Sequence, residues 1–120
     1  MERLNGIQAS EGIAIGSVFV YDPGEYSLDY RRIVPGDVAG ELDRLHEALA
    51  SVSEELKAIR VQVEENIGKE HAQIFDVHLM ILEDSALVGP TEAFITDKFM
   101  NAEHAFWLAF RKLHEQFDAI

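Results

Sequence analysis

The chain has no cysteine, which excludes a disulfide frame and a thiolate metal site. It is poor in cations, with 10 Lys and Arg against 22 Asp and Glu and a formal net charge of −12. That balance argues against nucleic acid, because phosphate binding rests on Lys and Arg neutralising the backbone. A basic partner, or none, is expected instead. No apolar run approaches the roughly 20 residues a membrane span needs. Met1 to Gly6 lead into a short alternating segment rather than a cleavable apolar one, so no membrane contact and a cytoplasmic location are expected. At 120 residues the chain is one domain or a piece of one.

What is present is mostly helical pattern. Residues 6–20 carry three glycines among β-branched residues with partial alternation, which reads as two short strands joined near Ser10-Glu11-Gly12. Two strands cannot form a stable sheet alone, so they need a partner outside this chain, a second copy, or the helices. Asp22-Pro23-Gly24 ends that segment and Val34-Pro35-Gly36 ends an extended one. Asp37 is then placed as an N-cap. From Val38 the apolar residues fall at 38, 42, 45, 49, 52, 56, 59 and 63, an a/d seam that predicts a long helix packed along its length on other helices. Between seam positions lie Glu41, Asp43, Glu47, Glu54, Glu55, Glu64 and Glu65, read as a solvated acidic face.

Asn66-Ile67-Gly68 marks a corner, and a central helix is expected from Lys69 to Glu83. Asp84-Ser85 offers a fresh cap before a third helix, Ala86 to Phe99, with a bend expected at Gly89-Pro90. Asn101 is expected to cap the last helix, where Glu103 suits the dipole. The reading is a mainly α chain: an antiparallel helical bundle over 35–120, preceded by a short β segment in 1–30.

The central helix organises the rest. Its apolar residues Ile74, Phe75, Val77, Leu79, Met80, Ile81 and Leu82 fall all around the circumference at about 100° per residue, whereas a surface helix shows one apolar stripe. Ala72, Phe75, Leu79 and Leu82 form one side. Val77, Met80 and Ile81 form another, bordered by Gln73, Asp76 and Asp84. One side can be the core seam, and the second must be covered by another helix or held out for a partner.

No catalytic chemistry is proposed by local spacing. A nucleophile and base arrangement needs Ser or Thr near a His and an orienting carboxylate, and none is suggested. A di-metal bundle would show Glu-x-x-His on two helices. The single acidic-x-x-His match is Asp43 to His46, without a second copy, so no metal site is expected. His71 and His78 lie two turns apart on one face and read as structural histidines.

Gly6-Ile7-Gln8-Ala9-Ser10-Glu11-Gly12-Ile13-Ala14-Ile15-Gly16, the long acidic helix, Ala72-Gln73-Ile74-Phe75-Asp76-Val77-His78-Leu79-Met80-Ile81-Leu82-Glu83-Asp84 and Asn101-Ala102-Glu103 together resemble the N-terminal part of the Enzyme I family, the phosphoenolpyruvate-protein phosphotransferases. The resemblance covers essentially the whole chain. Glu11 stands where the family usually has proline, and Ser85-Ala86 replace a more acidic pair.

The resemblance implies that residues 1–30 are strands of an incomplete phosphohistidine domain and that 35–120 form the subdomain that docks the histidine-containing phosphocarrier HPr. In the full enzyme, phosphate passes from phosphoenolpyruvate, with Mg²⁺ in a C-terminal barrel, to a histidine and then to HPr in sugar uptake. The family's histidine lies in a Gly-Gly-x-Thr-Ser-His type segment that this sequence does not contain. None of His46, His71, His78, His104 and His114 therefore takes the phosphoryl-carrying role, and the fragment is expected to be inactive alone, with no cofactor of its own. By position in the motif, Gln73, Asp76, Val77, Met80, Ile81, Asp84 and Leu87, with Phe117 and Ile120, correspond to the HPr-facing surface. The equivalent module of the nitrogen-system paralogue or of a dihydroxyacetone kinase phosphoryl-donor subunit fits the same residues. A reading of another class is a non-catalytic helical scaffold, self-associating as a homodimer through exposed strands or the last helix.

Overall fold

The computed structural model describes residues 5–21 and 27–118, the last two by backbone alone. After a 3-10 turn at Pro35–Asp37, α1 spans Val38–Asn66, α2 Lys69–Leu82, α3 Ser85–Lys98 and α4 Ala102–Asp118. The corner between α1 and α2 turns on Gly68, whose φ of 113° strains any residue with a Cβ. The N–H groups of Ile67 and Gly68 donate to Val63 O at 2.8 and 3.2 Å, satisfying a carbonyl the helix end would leave open. Asp84 opens α3 by accepting from Ala86 N at 2.8 Å. Helix α3 is continuous through Pro90 and closes on Phe99 in the left-handed region, φ 53°.

The helices pair as two hairpins, α1 with α2 and α3 with α4. The pairs Arg60 Nε–Asp76 Oδ1, 2.6 Å, and Ser53 Oγ–Glu83 Oε1, 3.5 Å, set the antiparallel register of the first. Helix α2 thus lies along the C-terminal half of the α1 seam. The N-terminal half of α1 joins the second hairpin, where Ile33, Leu45, Ile95, Ala102 and Ala105 are buried together, with Val38, Leu42, Leu49 and Phe106 packed around them. The seam is less complete than its spacing predicts, since Val52 and Ile59 keep 42% and 41% of their surface exposed. His46 Nε2 and Glu92 Oε1, 2.6 Å apart, tie α1 to α3 across the outside.

Four expectations are corrected. Asp37 does not cap α1 with its side chain, which makes no capping hydrogen bond, because the residue already has helical backbone angles as the last of the 3-10 turn. The two strands expected within 6–20 do not form: residues 5–21 are exposed and carry no strand, as follows when a two-stranded ribbon has no third strand to pair with. The β-type contact among the described residues lies elsewhere, as an isolated antiparallel bridge between Arg32 and Met100. Glu41, assigned to the solvated face, is 6% exposed. Its Oε1 accepts from Ala102 N at 2.7 Å and from an Arg44 guanidinium N–H at 2.5 Å. The first turn of α4 is therefore capped from α1 rather than by the side chain of Asn101.

Asn101 has a different task. Wholly buried, its Oδ1 accepts from Arg31 N at 3.2 Å, while its Nδ2 donates to Asp29 O at 2.7 Å and to Glu103 Oε2 at 2.9 Å. With Ile33 N donating to Phe99 O and Asn101 N to Arg31 O, these bonds strap residues 29–33 across the turn between α3 and α4. Arg44 reaches from Glu41 to Glu103 and closes the network.

Glu41→Ala removes the cap of α4 and leaves Arg44 with one carboxylate, so it should destabilise the chain by roughly 1–3 kcal/mol, whereas Glu47→Ala on the exposed face should stay within about 0.5 kcal/mol. Urea unfolding separates the two, and equal midpoints would refute the joint. Burial opposes the charge on Glu103, but the bonds it accepts from its own N–H, from Arg44 and from Asn101 hold its carboxyl below the usual range. A lowered folded pKa adds stability above the unfolded carboxyl value of about 4.3, and that stability is lost as pH falls through the folded pKa. Glu103→Gln should flatten that part of the urea-midpoint profile between pH 5 and lower pH.

Candidate functional site

Helix α2 meets α1 through a narrow inner edge. Ala72 is completely buried and Phe75, Leu79 and Leu82 are partly covered, so a small residue brings the backbones close and larger ones pack around it. Arg60 on α1 clamps Asp76 through two N–H groups, at 2.6 and 3.3 Å, and holds Glu64 at 2.8 Å. Those contacts spend one side of α2. The other remains open: Ile74 is 52% exposed, Val77 47%, Met80 73% and Ile81 42%.

The residues expected at a docking surface separate into groups. Gln73, Val77, Met80, Ile81 and Asp84 are exposed on α2 and at the corner leading into α3. Asp76 is half-covered and spoken for by Arg60. Leu87, 1% exposed, lies inside the bundle: the first turn of α3 rolls inward once Asp84 fixes the helix start, so Leu87 supports the surface from beneath. Phe117 belongs to α4 but its side chain, like all of Ile120, lies outside the described residues. Glu70 and Glu83 are exposed beside the apolar strip.

Sequence reasoning missed a groove beside this face. Two adjoining cavities of about 420 and 400 Å³ run between α1, the end of α2 and α4. Leu45, Leu49 and Val52 wall the first, Leu56, Ile81 and Phe110 the second, and Leu82 with Phe106 belong to both. The spacing gave no signal for it, since the α1 seam reads as packed along its whole length and the exposure of Val52 shows only in the structure. No cluster of three or more metal-ligating side chains occurs among the described residues. No helix among them is long and apolar enough to cross a membrane.

Residues 5–120 match the sequence model of a family described as PEP-utilising enzyme, N-terminal. The chain belongs to this family. Among curated PEP-utilising relatives, it is 38% identical over 104 residues to the phosphoenolpyruvate-protein phosphotransferase of Enterococcus faecalis, covering 87% of this chain and 18% of that one. The enzyme of the same name from Latilactobacillus sakei is 39% identical over 105 residues, covering 88% and 18%. This chain thus spans about one fifth of the length of these relatives. The described fold is similar to an NMR solution structure of Enzyme I, with a TM-score of 0.74 at 24% identity, covering 80% of this chain and 39% of that one. The resemblance to Enzyme I read from the residues agrees with these findings.

The different burial of two neighbours in the motif gives a direct test. Leu87→Ala should cost about 2–5 kcal/mol by opening a cavity, whereas Met80→Ala should change stability by no more than about 0.5 kcal/mol. Chemical unfolding of both variants reads the difference, and a large loss for Met80→Ala would mean that its side chain is packed rather than open.

Proposed function

We propose that this chain is the docking part of a phosphoenolpyruvate-protein phosphotransferase, offering the outer face of α2 and the α2–α3 corner to an HPr-type phosphocarrier. The observation that supports it most is the open apolar strip Val77, Met80 and Ile81, rimmed by the exposed acids Glu70, Glu83 and Asp84. An exposed contiguous apolar strip with a polar rim is what a protein partner needs. In the longer enzyme, phosphate from phosphoenolpyruvate passes to a histidine outside this chain and then to the carrier docked here.

The division of labour follows from the chemistry of the two residue types. Met80 and Ile81 supply desolvation, roughly 1–3 kcal/mol each when fully covered. The acids raise the encounter rate with a basic partner and fix its orientation more than they tighten the complex. A relay must release its carrier, so a small interface with few anchors suits the task. Methionine also adapts its shape to a partner more readily than a branched side chain.

Met80→Ala and Ile81→Ala should each weaken binding of an HPr-type carrier about tenfold or more while leaving the helical circular dichroism unchanged. Titration calorimetry with the purified carrier checks this, and unchanged affinity in both variants would overturn the assignment of this face.

A further inference from the structure

The opposite end of α3 carries a feature the docking role does not use. In a chain so short of cations, Arg31, Arg32 and Lys98 line a single cavity of about 310 Å³ with Tyr30, Met100 and His104. The bridge between Arg32 and Met100 and the Asn101 strap hold the two basic segments side by side. Tyr30 is fixed by edge contacts with His104, at 4.7 Å between ring centroids, and with Trp107, at 6.1 Å. Arg31 is engaged by Asp29 at 3.1 Å. Arg32 and Lys98 make no ion pair among the described residues, and neither do Lys69 and Lys112, whereas Arg44, Lys57, Arg60 and Arg111 do.

We infer that this pocket, framed by Arg31, Arg32, Lys98, His104 and Tyr30, binds a small molecule bearing a dianionic phosphate group. Guanidinium groups match phosphate oxygens in a planar fork, and a lysine adds a compact charge. The pocket is of ligand size, and no carboxylate lines it. Met100 and the Tyr30 ring supply apolar walls for an organic remainder. The nearby acids are Asp29, bound to Arg31, Glu103, directed to Arg44 and Asn101, and Asp97, which does not line the cavity. Anion binding here goes beyond the docking role and does not depend on it.

The test follows backbone amide shifts of the 120-residue chain during titration with inorganic phosphate, glycerol phosphate, polyglutamate and, as an ionic-strength match, sodium chloride. The expected result is a saturable shift centred on Arg32, Lys98 and His104, with glycerol phosphate binding at least as tightly as inorganic phosphate. The double variant Arg32→Gln, Lys98→Gln should weaken it about tenfold or more. Both residues are exposed, and an unchanged spectrum elsewhere verifies that the variant folds. Shifts no larger than those with chloride, or equal in the double variant, would overturn the inference. Tighter binding of polyglutamate, lost in the same variant, would overturn it in favour of an acidic protein segment. The Met80→Ala chain should bind phosphate normally, so failure of the docking role would leave this result standing.

Discussion

One buried carboxylate fixes the polar joint between the two helical hairpins. Glu41 leaves the first turns of α1, reaches the first N–H of α4 and is held there by Arg44. The start of a helix carries unpaired donors and a partial positive charge, so an anion is favoured at that place. What is unusual is its origin, 61 residues earlier in the chain. Because the acceptor comes from α1, forming the cap also positions the second hairpin on the first. Asn101 and Glu103 then extend the same network to residues 29–31. Three segments distant in sequence meet at a joint with no buried side-chain nitrogen or oxygen left unpaired among the described residues, which is the condition under which a buried polar network stabilises a fold.

That joint explains why α2 is left with an open side. The second hairpin is anchored at the N-terminal end of α1, around Leu45 and Ile95, whereas α2 lies along the other half. Helix α2 is consequently covered by α1 along one edge and approached by α3 only near the corner. Its apolar perimeter exceeds what these neighbours cover. Asp84 makes the corner sharp enough that Leu87 turns into the bundle while Met80 and Ile81, one or two turns earlier, stay outside. The exposed strip is thus a consequence of where the hairpins are pinned together.

Much of this was legible because local rules generate it. The 3-4 spacing of α1, the Gly68 corner and the Asp84 cap each depend on residues within one or two turns, and each lies where its pattern places it. The excess of apolar residues around α2 likewise announced a helix with two faces. Glu41 was not legible, since an acid between seam positions has the same local pattern whether it meets water or a distant helix start. Leu87 was misplaced for a related reason: the motif fixes its position in sequence, but the direction of α3 after its cap decides which way the side chain points. The strands at 6–20 had the right composition for strands, and composition cannot supply the neighbours whose hydrogen bonds a sheet requires.

The two ends of α3 carry opposite charge, and their separation limits how they can interact. Fourteen residues of helix span about 20 Å, more than two Debye lengths of about 8 Å at physiological salt. The acids near Asp84 therefore do little to repel an anion beside Lys98, and an anion there does little to slow a basic partner's approach to α2. Helix α3 is one direct mechanical connection between the two ends. Its inward residues Leu87, Thr91 and Ile95 are all essentially inaccessible, and Thr91 is further tied to the Leu87 carbonyl at 2.7 Å. A close-packed line of that kind moves as a unit or not at all. An anion that drew Arg32 and Lys98 together would pull on the end of the helix whose other end turns Leu87 beneath the exposed strip.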